Sequence, residues 1–146
     1  MTSASILGAV GAADADDIEA AKLAAAKGSA AATRTFASSL VKAHQTSLQK
    51  NTELSKRLRL KRLLPADSAS VRLHKAEMDL LNLSTGAAFD SAFVKAVIAS
   101  HEVLIKKINT ELLPVAQSAS VKAFLRQELP VLGVHLTRAR ELLAKM

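Results

Sequence analysis

The stretch Ala87 to Leu112, AAFDSAFVKAVIASHEVLIKKINTEL, decides the fold. At about 100° per residue, Phe93, Val97, Leu104 and Ile108 fall on one stripe, the pattern of an amphipathic α-helix. Asp90 and His101 fall on the same stripe. They stand eleven residues apart, which is about three turns and about 16 Å of helix axis. They therefore share a face but cannot both ligate one ion. A carboxylate or imidazole taken into an apolar face is costly unless it is paired or bound to a metal, so the helix that declares the fold also raises the functional question.

Working outward from this helix, the same period recurs. Upstream, Ser84-Thr85-Gly86 is a compact joint after a helix over Val71 to Leu83. The longest helical segment is Ala30 to Leu63, where Phe36, Leu40, Leu48, Leu54 and Leu58 lie within roughly half a turn of one another. Pro65-Ala66-Asp67-Ser68 ends it. A short Ala-rich helix, Ala13 to Lys27, comes first; Gly28-Ser29 closes it and caps the next. Downstream, Pro114 breaks the chain, Ser118 or Ser120 caps a fifth helix to about Ala144, and Pro130 predicts a kink within it. Leu-Leu-Pro followed by Ser-Ala-Ser-Val occurs at Leu63 and again at Leu112, a repeated helix stop and Ser cap. Residues 1–12 read as a disordered or expression-derived N-terminus, leaving 13–146 as one all-α bundle.

Composition narrows the function. A chain of 146 residues with 49% hydrophobic side chains, rich in Ala and Leu, builds one helical domain with a real core. There is no Cys, which removes disulfides, thiolate metal sites and Cys nucleophiles. No apolar run approaches the roughly 20 residues of a membrane span, and Met1 to Ala13 lacks the Lys or Arg of a signal peptide. The net charge of +7 is unevenly placed. Asp14, Asp16, Asp17 and Glu19 read as the opening of the first helix, where carboxylates suit the positive end of the dipole. Lys56, Arg57, Arg59, Lys61 and Arg62 crowd a helix C-terminus, either complementing the dipole or offering an anionic surface a docking point. The absence of Trp and Tyr argues against nucleic acid as that partner.

The inward polar residues extend beyond the opening helix. His44 lies between the directions of Leu40 and Leu48, and Asn51 shares its arc. Glu128 and His135 flank Leu132 on the inner face of the last helix, about 10 Å apart. Counting the hairpin outward from Pro114 places Glu128 within about one turn of His101 in height, and Asp90 near Arg138 as a structural pair. His74 and Glu77 are neighbours on the third helix. Imidazoles and carboxylates are the ligand set of metal-binding bundles; the competing reading makes each a satisfied core residue that fixes helix register. No Glu-x-x-His, His-Glu-x-x-His, Gly-x-Ser-x-Gly or phosphate loop is present, so the reading is non-catalytic.

Three stretches carry a family resemblance: IEAAKLAAAKGSAAATRTFASSLVKAHQ from Ile18, GAAFDSAFVKAVIASHE from Gly86, and ELPVLGVHL from Glu128. Together they resemble the bacterial family called domain of unknown function 4142, placed among ferritin-like bundles. The resemblance implies a ferritin-like four-helix bundle with one additional short helix, exported to the periplasm or cell envelope. It points to Glu19, His44, Asp90, His101 and His135. The chain departs from the family where an acid often precedes the first His, here Ala43, and where Tyr often stands at Phe93. The expected site is thus a transition metal ion, zinc, iron or copper, held by His44, His101, His135 and Glu128, with Glu19 and Asp90 as secondary ligands. The alternative is a metal-free structural or stress-related interaction module that docks an anionic envelope surface through Lys56 to Arg62. Neither reading indicates an oligomeric state.

Overall fold

The computed structural model describes residues 1–64 and 68–146. Among the described residues every regular element is helical, and the chain is all-α. The elements are α1 (Ser3–Lys27), α2 (Ala31–Arg57), α3 (Ser68–Leu83), α4 (Gly86–Lys107) and α5 (Ala119–Ala144). Beyond Lys107, α4 runs on through a π-helical turn, Ile108–Leu112, and one further α turn, Leu113–Val115. The long helices pack in a ring, α1 on α2, α2 on α5, α5 on α4 and α4 on α1, while α3 lies outside against α4 and α1. The helix stop read at residues 65–67, with the first half of the Leu-Leu-Pro echo, lies outside the described residues.

The N-terminus corrects the sequence reading. Residues 1–12 are not disordered: Thr2 caps a helix that begins at Ser3, its Oγ1 accepting from the Ser5 N–H at 3.1 Å. Ile6, Leu7 and Val10 are buried at helical spacing, and their burial provides the driving force that the unremarkable local composition conceals. As a result Asp14, Asp16, Asp17 and Glu19 stand in the middle of α1, not at its dipole end.

The second correction is at the far end of α2, which stops at Arg57 instead of Leu63. Arg59 takes a left-handed conformation, φ 56°, and the Leu60 N–H returns to the Ser55 carbonyl at 2.8 Å. The chain then runs back to α1, where the Leu63 N–H bonds the Ala4 carbonyl at 3.1 Å. Gly8 permits the approach, because a Cβ there would lie 1.8 Å from the Leu63 oxygen. Arg62 leaves the basic cluster and reaches Asn51 Oδ1 at 3.4 Å. Asn51 itself donates to the Leu7 carbonyl at 2.9 Å, so it is a satisfied core residue.

Phe36, Leu40, Phe93, Val97, Leu104, Phe124 and Leu132 are all buried, as their period predicts. They do not form one continuous core. Phe36, Leu40, Phe93 and Val97 belong to an apolar cluster with Ala21, Phe89 and Ala139. Leu104, Phe124 and Leu132 belong to another with Leu7, Val10 and Ile108. Along each of α1, α2, α4 and α5 a buried polar residue falls between these clusters: Asp14, then His44 and Ser47, then His101, then His135. The bundle is two oily halves separated by a polar layer. Pro130 does not interrupt α5, which remains helical on both sides of it.

Candidate metal centre

Three imidazoles from three helices meet in that polar layer. The rings of His44 on α2, His101 on α4 and His135 on α5 form a near-equilateral triangle, with centroids 5.2, 5.4 and 5.5 Å apart. All three are buried, at 2%, 1% and 6% exposure. One nitrogen from each lies within 4.8 Å of the others. Each ring also keeps a buried nitrogen without a hydrogen-bond partner: His44 Nε2, His101 Nε2 and His135 Nδ1. A buried polar atom with no partner costs about 1–3 kcal/mol, and one shared partner could satisfy all three.

The outer atoms of two rings fix their tautomers. His101 Nδ1 lies 2.9 Å from the Val97 carbonyl, which can only accept, so Nδ1 carries the proton and Nε2 presents its lone pair inward. His44 Nδ1 donates to Asp14 Oδ1 at 2.8 Å, again leaving Nε2 inward. Carboxylate–histidine and carbonyl–histidine pairs of this kind orient metal-binding imidazoles and raise their basicity. Asp17 Oδ2 stands 3.6 Å from His44 Nε2, and its other oxygen accepts from Ser100 Oγ at 3.0 Å.

The electrostatics divide the triad. Burial, then the neighbouring His44 and His135, pull His101 down to about 3. Burial, then His44 and Arg138, pull His135 down to about 4. Both are neutral near pH 7, with lone pairs free to ligate. His44 moves the other way: burial opposes its proton, but the Asp14 bond and the charges of Asp17, Asp14 and Glu128 outweigh that cost. The field that favours a proton on His44 also favours a cation beside it. Burial raises Asp17 to about 6.

Behind His44 the polar layer continues. Ser47 Oγ lies 2.8 Å from Asp14 Oδ2 and 2.7 Å from Glu128 Oε2. One hydroxyl has one proton to donate, so the second contact needs a proton on a carboxyl group. Burial pushes the Glu128 carboxyl above its ordinary range. The contacts run from Glu128 to Ser47 to Asp14 to His44, whose Nδ1 donates to Asp14.

The sequence-read residues are thus partly assembled. His44, His101 and His135 come together. Glu128 stays one residue back, occupied by Ser47, because the α4–α5 reversal sits at Ala116 to Ser118 and not at Pro114. That shift carries α5 along α4, so His135 meets His101 in place of Glu128. Asp90 does not pair with Arg138. Its two oxygens accept the Ser29 and Ala30 N–H groups at 2.8 and 2.9 Å, capping α2 from another helix in place of the expected Ser29 side chain. Glu19 is exposed and contacts His74 at 3.2 Å. Sequence reasoning missed Asp14, Asp17, Ser47 and Ser100. Asp14 and Asp17, three apart, would have registered as inward had α1 been extended to Ser3.

The family model for Domain of unknown function (DUF4142) matches residues 1–142. The chain belongs to this family. The match includes the first turns of α1, in keeping with their buried apolar face. No curated protein and no solved structure matches the chain. The family's description carries no activity, so function must be argued from the site itself.

Proposed function

We propose that this family member is a non-catalytic, ferritin-like bundle that binds one divalent transition ion, zinc, iron or copper, at His44, His101 and His135. The observation that carries the reading is the convergence of three unpartnered, buried ring nitrogens on one another. A tetrahedral ion with bonds of about 2.0–2.1 Å sets its ligand nitrogens about 3.3 Å apart, so side-chain adjustments of the order of 1 Å close the set. Three imidazole nitrogens, that of His44 giving up its proton to the ion, suit zinc, copper and iron over magnesium or calcium. Asp17 is positioned to supply a carboxylate oxygen beside His44, and Asp14 and Val97 are the outer partners that hold two rings in their ligating tautomers. Glu19 and Asp90 have no part in it.

Metal analysis of protein purified without chelator, followed by calorimetric titration with Zn²⁺, Cu²⁺ and Fe²⁺, tests the reading. We expect one ion per chain and a melting temperature that rises with metal. A protein that purifies metal-free and whose melting ignores all three ions refutes it and leaves the polar layer with a structural role. The envelope location implied by family resemblance belongs to the same proposal; fractionation of the producing cell checks it. No described helix is long and apolar enough to cross a membrane.

A further inference from the structure

Helix α3 carries two apolar faces, and the bundle covers one of them. Leu81 is buried, with Met78 packed beside it, in the apolar cluster that contains Phe89 and Val94, where α3 meets α4 and α1. A second stripe, Leu73, Ala76, Leu80 and Leu83, lies roughly 150° around the helix from that face. It faces water: Leu73 is 70% exposed, Leu80 56% and Leu83 86%. Ala69 and Ala76 are exposed as well. From Ala69 these positions step by four, three, four and three residues, the seam of a coiled coil. The first face meets the needs of the bundle; a second one at heptad spacing is shaped for another helix. Arg72 and Asp79 line one edge of this seam, seven residues apart.

We propose that this seam pairs with the α3 of a second copy of the chain, running antiparallel about a two-fold axis. The face is self-complementary in one register. There Leu73 stands opposite the partner's Ala76 and Leu80 opposite the partner's Ala69, and the two-fold repeats each contact. Large against small in every layer lets the two helices approach closely. Leu83 covers the start of the partner helix. The same register brings Arg72 alongside the partner's Asp79, twice. Lys75 holds Asp79 Oδ2 at 2.8 Å, but a carboxylate accepts from more than one donor. Sliding by one heptad sets Asp79 against the partner's Asp79, a like-charge contact. A parallel pair sets Ala76 on the partner's Ala76 and leaves a gap between them. Because α3 lies outside the ring of long helices, a partner reaches the seam without moving the bundle. A seam on a 16-residue helix, about 24 Å long, is small for an interface. The pairing is therefore concentration-dependent.

Sedimentation equilibrium of the whole chain, with metal chelated, tests the pairing. We expect a monomer–dimer equilibrium with a Kd of about 10–100 µM. A chain that stays monomeric up to about 500 µM overturns the proposal. Leu73→Glu/Leu80→Glu changes only exposed side chains, so it should keep the helical circular dichroism spectrum and sediment as a monomer. A dimer that survives it uses another face and overturns the assignment. Arg72→Glu should weaken the dimer at least about fivefold, and adding Asp79→Arg should restore it to within about threefold; no weakening, or no recovery, overturns the register. The chain has no Cys, so single cysteines report the direction of pairing. An oxidised mixture of Ala69→Cys and Leu80→Cys chains should cross-link into a heterodimer. Leu80→Cys alone should not, because antiparallel pairing holds its two sulfurs about 16 Å apart along the axis. Efficient cross-linking of Leu80→Cys alone marks a parallel pair and overturns the antiparallel geometry. With metal chelated throughout, the outcome is independent of whether the triad binds an ion.

Discussion

Replacing His101 by Leu should make the protein more resistant to acid while abolishing its response to metal. His101 has a folded value near 3 against 6.5 for a free imidazole. The unfolded chain therefore binds a proton between pH 6.5 and about 3 that the folded chain refuses, and ∂ΔG/∂pH is positive across that window. The stability associated with neutral His101 is complete above pH 6.5 and drains away as pH falls. Between pH 7.5 and pH 4.5 the loss covers two units below 6.5, or roughly 3 kcal/mol. His101 is 1% exposed, so solvent screening removes little of this. Leu at this position forfeits the Nδ1–H bond to Val97, worth about 1 kcal/mol, but also removes the stranded Nε2, which costs a similar amount. The two proteins should thus be within about 1 kcal/mol at pH 7.5. At pH 4.5 the variant should gain about 2–3 kcal/mol on wild type, which is roughly 5–10 °C in Tm for a chain of this size. Asp17, with its value near 6, titrates in both proteins and largely cancels in the difference. Urea unfolding at the two pH values, with metal chelated, measures the gap. Zinc at about 100 times its Kd should then raise wild-type stability by about 2.7 kcal/mol at pH 7.5 and leave the variant unmoved. A gap that is the same at both pH values shows that His101 is not held neutral by its burial, and the account of the triad's electrostatics falls with it.

Other substitutions probe the rest of the polar layer and its supports. Ser47→Ala strands Asp14 and Glu128 and should cost about 3–6 kcal/mol, two bonds to charged or acidic partners at about 1.5–3 each; adding Glu128→Leu should recover part of it in denaturant titrations, and no recovery contradicts the account of a hydroxyl held between the two carboxyl groups. Asp90→Ala uncaps the start of α2 and should lower stability by about 2–4 kcal/mol, with metal stoichiometry unchanged in calorimetry; a lost ion would return Asp90 to the ligand set. Gly8→Ala should destabilise by about 2–4 kcal/mol by forcing the returning Leu63 carbonyl off α1, seen as a lower Tm; a neutral result would show that this contact is not made in solution.

Much of the architecture was written in local pattern. Helical periodicity in α2, α4 and α5 identified their inner faces, because a residue's direction around a helix depends only on its position in the sequence. For the same reason His44, His101 and His135 could be read as inward-facing from sequence alone, and the family to which the chain belongs could be recognised from the segments around them. Direction is not height, however, and the height of one helix against another depends on where the chain reverses. The π turn at Ile108–Leu112 and the extra α turn after it moved the α4–α5 reversal past Pro114, which exchanged Glu128 for His135 opposite His101. The N-terminal turns of α1 are helical because Ile6, Leu7 and Val10 are covered by the rest of the bundle, a tertiary effect with little local signature. Only with those turns in place do Asp14 and Asp17 become buried partners of His44, where the sequence showed a charged helix start. Asp90 illustrates the same limit: its inward direction was legible, but the backbone N–H groups it satisfies belong to a helix end sixty residues earlier in the chain. The sequence determined which side chains face the interior. The tertiary structure decided which of them meet, because meeting requires the register between helices, and register is set by turns and by packing that no single segment contains.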